Sequence, residues 1–135
     1  MAESFSFELV SPEKLLLSDN VEMVVVPGAE GDFGVLTGHS PLISSLRPGV
    51  IDTYNGDKVE KRIFVAGGFA EVTRERCTVL AEEAVAVEDI DAGVAQDRVK
   101  AANEAISAAE NDTARNGAET ELAVAEAMLS AGSLT

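Results

Sequence analysis

The chain has 135 residues, 46% of them hydrophobic, with five Phe, one Tyr and no Trp, so its core must come mainly from Val, Leu and Ala. Its 24 acidic and 10 basic residues give a net charge of −14. That balance argues against a nucleic-acid binder, because such binding relies on Lys and Arg displacing counterions from phosphates, and against direct insertion among anionic lipid head groups.

Residues 1–87 read as strands. SFSFELV alternates, with Phe5, Phe7 and Leu9 on one side and Ser4, Ser6 and Glu8 on the other, the period of a half-buried strand. VEMVVVP continues the theme and stops at Pro27-Gly28. The next stretch, EGDFGVLTGHSPLISSLRPG, holds four glycines, two prolines and the only histidine within residues 30–49. It reads as a rigid loop. Glycines permit its tight turns, and Pro41 and Pro48 fix φ locally. Phe33, Val35, Leu36, Leu42 and Ile43 are expected to pin it to the core, which leaves Asp32 and His39 presented together on a rim. GVIDTY and KVEKRIFV flank Asn55-Gly56-Asp57, and Asn-Gly is the strongest short hairpin signal. Gly67-Gly68 marks another bend. FAEVTR and CTVLAEE form a further hairpin around Arg74-Glu75-Arg76. Many short strands at close spacing predict a flattened, antiparallel β-sandwich.

From Glu88 the period changes. Asp89 is placed to cap a helix, with Asp91 in its first turn. Ile90, Val94, Ala101 and Ala105 fall near one face, and Val99, Ala102, Ile106 and Ala109 on the adjacent stripe. Asn111-Asp112-Thr113 is turn-like. A second helix follows, with Ala118, Leu122, Ala125 and Leu129 at helical spacing and a stop at Gly132. Residues 88–135 are thus predicted to form an antiparallel α-helical hairpin. Alanine favours each helix but buries little area, about 0.8 kcal/mol less for each missing CH₂. The hairpin is predicted to be well formed yet weakly held. Each half carries a net −7, so the shorter hairpin is the more densely acidic.

No chemistry assembles from these residues. His39 and Ser40 are adjacent, but a nucleophile–base pair would need an orienting acid such as Asp32. Gly31, Gly34 and Gly38 match neither the dinucleotide fingerprint nor the P-loop, and Glu30 and Asp32 would repel phosphate. One His and one Cys make no metal constellation, and no cofactor is implied. Cys77 reads as a small packed residue, and a single cysteine forms no intramolecular disulfide. MAESFSFELV lacks the basic segment and apolar run of a signal peptide. A reducing cytoplasm is the expected setting, with proteins as partners.

The stretch 31–49 resembles the epsilon subunit of F-type ATP synthases (delta in mitochondria). The family pattern is a Gly-Glu/Asp-hydrophobic-Gly turn, then Pro-Gly-His-Ala-Pro-Leu, then Pro-Gly. Here it stands as Gly31-Asp32-Phe33-Gly34, Gly38-His39-Ser40-Pro41-Leu42 and Arg47-Pro48-Gly49. FELVSPEKLLLS near the start, FVAGGFAEV at 64–72, TVLAEEA at 78–84 and Ile90-Asp91 extend the likeness over essentially the whole chain.

The resemblance implies a β-sandwich followed by a helical hairpin. It implies a non-catalytic rotor subunit of the central stalk, coupling proton flow through the membrane c-ring to ATP synthesis. Its partners would be the gamma subunit and the c-ring, with Glu30, Asp32, Phe33 and His39 on the c-ring side, and the catalytic beta subunit through the hairpin. It would sit peripherally at the cytoplasmic face of a bacterial inner membrane. A free-standing module that grips an enzyme through the hairpin is the alternative.

Some family members bind ATP through an Ile/Leu-Asp-x-x-Arg-Ala motif. Here Ile90, Asp91 and Ala95 are kept, but Val94 stands where Arg belongs, and Arg98 lies one turn later. The resemblance also implies that in many bacterial members basic residues of the hairpin contact an acidic segment of the beta subunit and block ATP hydrolysis; with three basic against ten acidic residues in this hairpin, lost or weak ATP sensing and weak self-inhibition are expected.

Overall fold

The computed structural model describes residues 3–134. The chain divides into two compact units between Ala86 and Val87. The first is a β-sandwich. Its strands are β1 (Phe5–Val10), β2 (Leu15–Val21), β3 (Met23–Gly28), β4 (Gly31–Val35), β5 (Leu42–Ser45), β6 (Gly49–Asn55), β7 (Lys58–Val65), β8 (Gly68–Val72), β9 (Arg76–Ala81) and β10 (Ala84–Ala86). One sheet runs β2-β1-β9-β8-β5 and the other β10-β7-β6-β3-β4.

The alternation read in the sequence decides which side chains face inward. Phe5, Phe7 and Leu9 are buried, as are Val24, Val26, Ile51, Val65, Ala70, Val72, Cys77 and Val79. Side chains of successive strand residues point to opposite faces, so every second position joins the core.

Several details depart from the sequence reading. The sandwich is not wholly antiparallel, because β1 pairs in parallel with β9. A parallel pair needs a long crossover, and β2 to β8 all lie between these two strands in the chain. Residues 31–49 are not one loop. Gly31–Val35 folds back on β3, with Gly28 opposite Gly31 across the Ala29-Glu30 turn. Leu42–Ser45 forms an edge strand on β8. Strand β2 was not anticipated. In the β6–β7 hairpin the turn residues are Gly56 and Asp57, because Asn55 pairs with Lys58. Only Gly56 there has a positive φ, of 76°.

The second unit has a single 3-10 turn (Val87–Asp89), then α1 (Ala92–Ala108) and α2 (Asp112–Gly132). Asp91, not Asp89, caps α1, and its carboxylate accepts from the amide of Val94 at 3.2 Å. The 3-10 turn uses Asp89 and moves the start along the chain. Asn111 caps α2 by accepting from the amide of Ala114 at 2.8 Å. The connection is therefore Ala109–Asn111, and Asp112 and Thr113 are already helical. Of the two α1 stripes, the one containing Ala102 faces inward, joined by Ala95, while Val94 is 53% exposed. Ile90 packs on Gly132, and a Cβ added there would lie 3.1 Å from the Ile90 Cγ2.

Gly68 is the tightest point of the sandwich. Its φ is +114°, and an added Cβ would lie 1.9 Å from the carbonyl oxygen of Leu80. Gly56 also has a positive φ but open space around it. Gly68→Ala should cost about 3 kcal/mol or more, from strain plus a backbone clash. Gly56→Ala should cost only about 1–2 kcal/mol. Urea unfolding of the two variants checks this, and equal losses would contradict it.

Candidate functional site

Two surface features stand out on the sandwich. The first is the Ala29-Glu30 turn at the end of β3 and β4. Both residues beside it that carry charge, Glu30 and Asp32, are exposed. The carboxylate of Asp32 pairs with the guanidinium of Arg47. Arg47 also donates through Nη1 to the carbonyl of Gly28 at 2.6 Å. On the same face Arg62 Nε lies 3.6 Å from Asp52. Burial raises the Asp52 carboxyl above its ordinary range; Arg62 opposes that rise and Asp32 adds to it. The turn is thus acidic, with its charges partly paired. Phe33 is half-buried against the core, and its ring would lie 3.0 Å from a Cβ at Gly28. It supports the turn from beneath.

His39 does not join that group. It lies in the Leu36–Pro41 connection, at the opposite end of β4 from Asp32. Three residue steps along the strand already separate Asp32 from Val35 by roughly 10 Å at about 3.3 Å each. The His39 Nδ1 donates to the carbonyl of Ser40 at 2.7 Å, and the amide of Gly38 donates to Arg74 at 2.9 Å. The idea of one rim bearing both Asp32 and His39 fails because residues 31–35 extend as a strand and carry the two apart. The same extension removes Asp32 as an orienting acid for His39. Among the described residues no group of three or more His, Cys, Asp or Glu side chains is placed to hold a metal ion.

The second feature is apolar. Leu36, Leu42 and Ile43 were expected in the core, but all three are exposed, Ile43 at 69%. Strand β5 is an edge, and the Ile43 side chain stands on its outward parity, opposite Glu71. Phe69, 45% exposed, lies diagonal to it on the same face. From Phe69 an apolar row crosses the sheet. Phe69 is opposite Leu80, Leu80 opposite Val10, and Val10 opposite Leu15. Leu15 is 53% exposed. Sequence reading missed this row. The parity was present in GGFAEV, where Ala70 and Val72 face in and Phe69 must face out, but the row needs the β1–β9 register, which is not local.

In the second unit the residues of the degenerate nucleotide motif are otherwise engaged. Asp91 caps its helix, and Ala95 is buried. Arg98 reaches across to α2, with Nη2 3.6 Å from Glu121 and Nη1 3.8 Å from the sulfur of Met128. No helix among the described residues is long and apolar enough to cross a membrane.

The sandwich thus presents an acidic turn at one end and an apolar row on one face. Comparison with known proteins names the class. Residues 4–87 match the family described as ATP synthase, Delta/Epsilon chain, beta-sandwich domain. The chain is 57% identical over 131 residues to the ATP synthase epsilon chain of Paramagnetospirillum magneticum, covering 97% of this chain and 98% of that one. It is 54% identical over 131 residues to the epsilon chain of Rhodospirillum rubrum, with the same coverage of both chains. Among solved structures it is similar to a chain of the Euglena gracilis mitochondrial ATP synthase (OSCP/F1/c-ring), with a TM-score of 0.81 and 25% identity, covering 97% of this chain and 82% of that one. The chain belongs to the ATP synthase delta/epsilon family. It is a non-catalytic stalk subunit.

Burial pushes the Cys77 thiol from 9.0 up to about 12. The folded chain holds that proton where the unfolded chain has lost it. Its contribution to stability is complete below the unfolded value and is lost as pH rises toward 12, at roughly 1.4 kcal/mol per pH unit. Cys77→Ala should flatten this alkaline decline between about pH 9 and pH 11. Urea titrations at several pH values check it; an unchanged slope would contradict it.

Proposed function

We propose that the chain serves as the coupling piece of the rotor in an F-type ATP synthase, with residues 1–87 carrying both of its rotor contacts. The observation that carries this reading is that two chemically different surfaces stand on one closely packed body. The apolar row from Phe69 to Leu15, with Ile43 beside it, suits a permanent partner, since contiguous exposed apolar surface marks protein interfaces. We assign it to the gamma subunit. The acidic Ala29-Glu30 turn suits a polar, partly basic surface, where charge complementarity fixes orientation more than it adds affinity. We assign Glu30 and Asp32 to the loops of the c-ring. His39 then falls outside that contact, and Phe33 supports it without touching it.

Movement passes from one surface to the other because the sandwich does not deform. Interiors packed at crystal-like density have low compressibility. The chain supplies no reacting group. It couples proton flow through the c-ring to ATP synthesis by keeping gamma and the ring in register. Such a part sits peripherally at the cytoplasmic face of the bacterial inner membrane, held by its partners.

Residues 88–135 act only weakly as an inhibitor. An acidic hairpin repels an acidic segment of the catalytic beta subunit over about 8 Å at physiological salt. Asp91, Arg98 and Ala95 are committed to a cap, an ion pair and the helical interior, and Val94 offers no charge for a phosphate.

Two measurements test this. Complexes carrying the chain truncated after residue 87 should hydrolyse ATP within about twofold of the full-length rate, the effect of an interaction worth under about 0.5 kcal/mol. A rise of an order of magnitude would refute weak inhibition. The isolated full chain should show no binding of labelled ATP at micromolar concentration, and saturation there would refute lost sensing. Assignment of the turn is checked by a Glu30→Cys variant labelled with a photoreactive maleimide in the assembled complex, which should crosslink to the c-ring on illumination.

A further inference from the structure

Arg47 lies on a strap that joins the two sheets. Its amide donates to the carbonyl of Pro27 at 3.0 Å, and the amide of Ala29 donates to the carbonyl of Ser45 at 2.8 Å. Leu46 and Gly28 form an isolated bridge. Strand β5 belongs to one sheet and the β3–β4 hairpin to the other. The strap therefore ties the edge beside the apolar row directly to the turn that bears Glu30 and Asp32. A Cβ at Gly49 would lie 2.8 Å from the Cβ of Pro27, so the strap is also closed from behind.

Pairing with β3 fixes the backbone at Asp32 but not the direction of its exposed carboxylate. The guanidinium of Arg47 supplies the missing restraint. It is anchored to the Gly28 carbonyl through Nη1 and grips Asp32 through Nη2. A planar fork held at one nitrogen fixes the direction of the carboxylate at the other. Such an exposed pair adds little to stability; its effect is directional.

We propose that Arg47 is a positioning residue for the rotor contact: it holds Asp32 and the Ala29-Glu30 turn in fixed orientation to β5, so that the c-ring contact and the gamma contact move as one piece. This rests on the assignment of that turn to the c-ring.

The test uses assembled ATP synthase in membrane vesicles, with the Glu30→Cys crosslink to the c-ring and ATP-driven proton pumping as readouts. Arg47→Ala should leave subunit content and ATP hydrolysis unchanged. It should lower crosslink yield and protons pumped per ATP by about threefold, the reach of a single exposed ion pair. Arg47→Lys, which keeps the charge and loses the fork, should recover part of both. Arg47→Ala combined with Asp32→Asn should be no worse than Asp32→Asn alone, because partners in one interaction are not additive. Unchanged crosslinking and pumping in Arg47→Ala, or full additivity in the double variant, would overturn the proposal. Absence of any crosslink in the otherwise native complex would instead overturn the c-ring assignment, and the proposal with it.

Discussion

Contact between the inner faces of the two sheets is the constraint on which everything else rests. Many of the residues that meet there are short and branched, Val21, Val24, Val26, Val35, Val65, Val72 and Val79, with Phe5, Phe7, Leu9 and Ile51 among the larger members. Short branched side chains have few rotamers and fill a shallow space without slack. Sheets packed in this way do not slide over one another. A part that passes on rotation needs that property more than it needs high stability. The bends respond to the same closeness, because at Gly68 the backbone of β9 already occupies the place of a side chain.

Much of this was legible in the sequence. Period-two alternation in SFSFELV placed Phe5, Phe7 and Leu9 correctly, and the change of period after residue 87 marked the helices. Local signals failed where non-local pairing decides. The glycine-rich stretch 31–49 looked like a loop because its glycines and prolines are loop formers, yet pairing with β3 draws Gly31–Val35 into a ladder. Leu36, Leu42 and Ile43 looked like core because they are apolar, yet β5 is an edge strand. The helix start moved from Asp89 to Asp91 because a 3-10 turn intervened. None of these outcomes is written in a short window of residues.

The candidate surfaces divide along the same line. Glu30 and Asp32 were visible as charges beside a tight turn, and they stand there. The separation of His39 from Asp32 was hidden, since it follows from four residues extending instead of coiling. The apolar row from Phe69 to Leu15 was hidden more deeply, because it joins residues from four strands. Charge told more about the helices than about the sandwich. A hairpin with three basic and ten acidic residues is poorly suited to an acidic partner, whatever its exact packing.

The sheet margins carry one more consequence. Strands β10, β5 and β4, which close three of the four margins, have three, four and five residues. The fourth, β2, meets its neighbour through an irregular register at Val10. Pro41 and Pro48 flank β5, and Gly31 and Gly34 lie within β4. The three short margins offer little template for another copy to pair with, which leaves the seven-residue β2 as the edge where such pairing would have to begin.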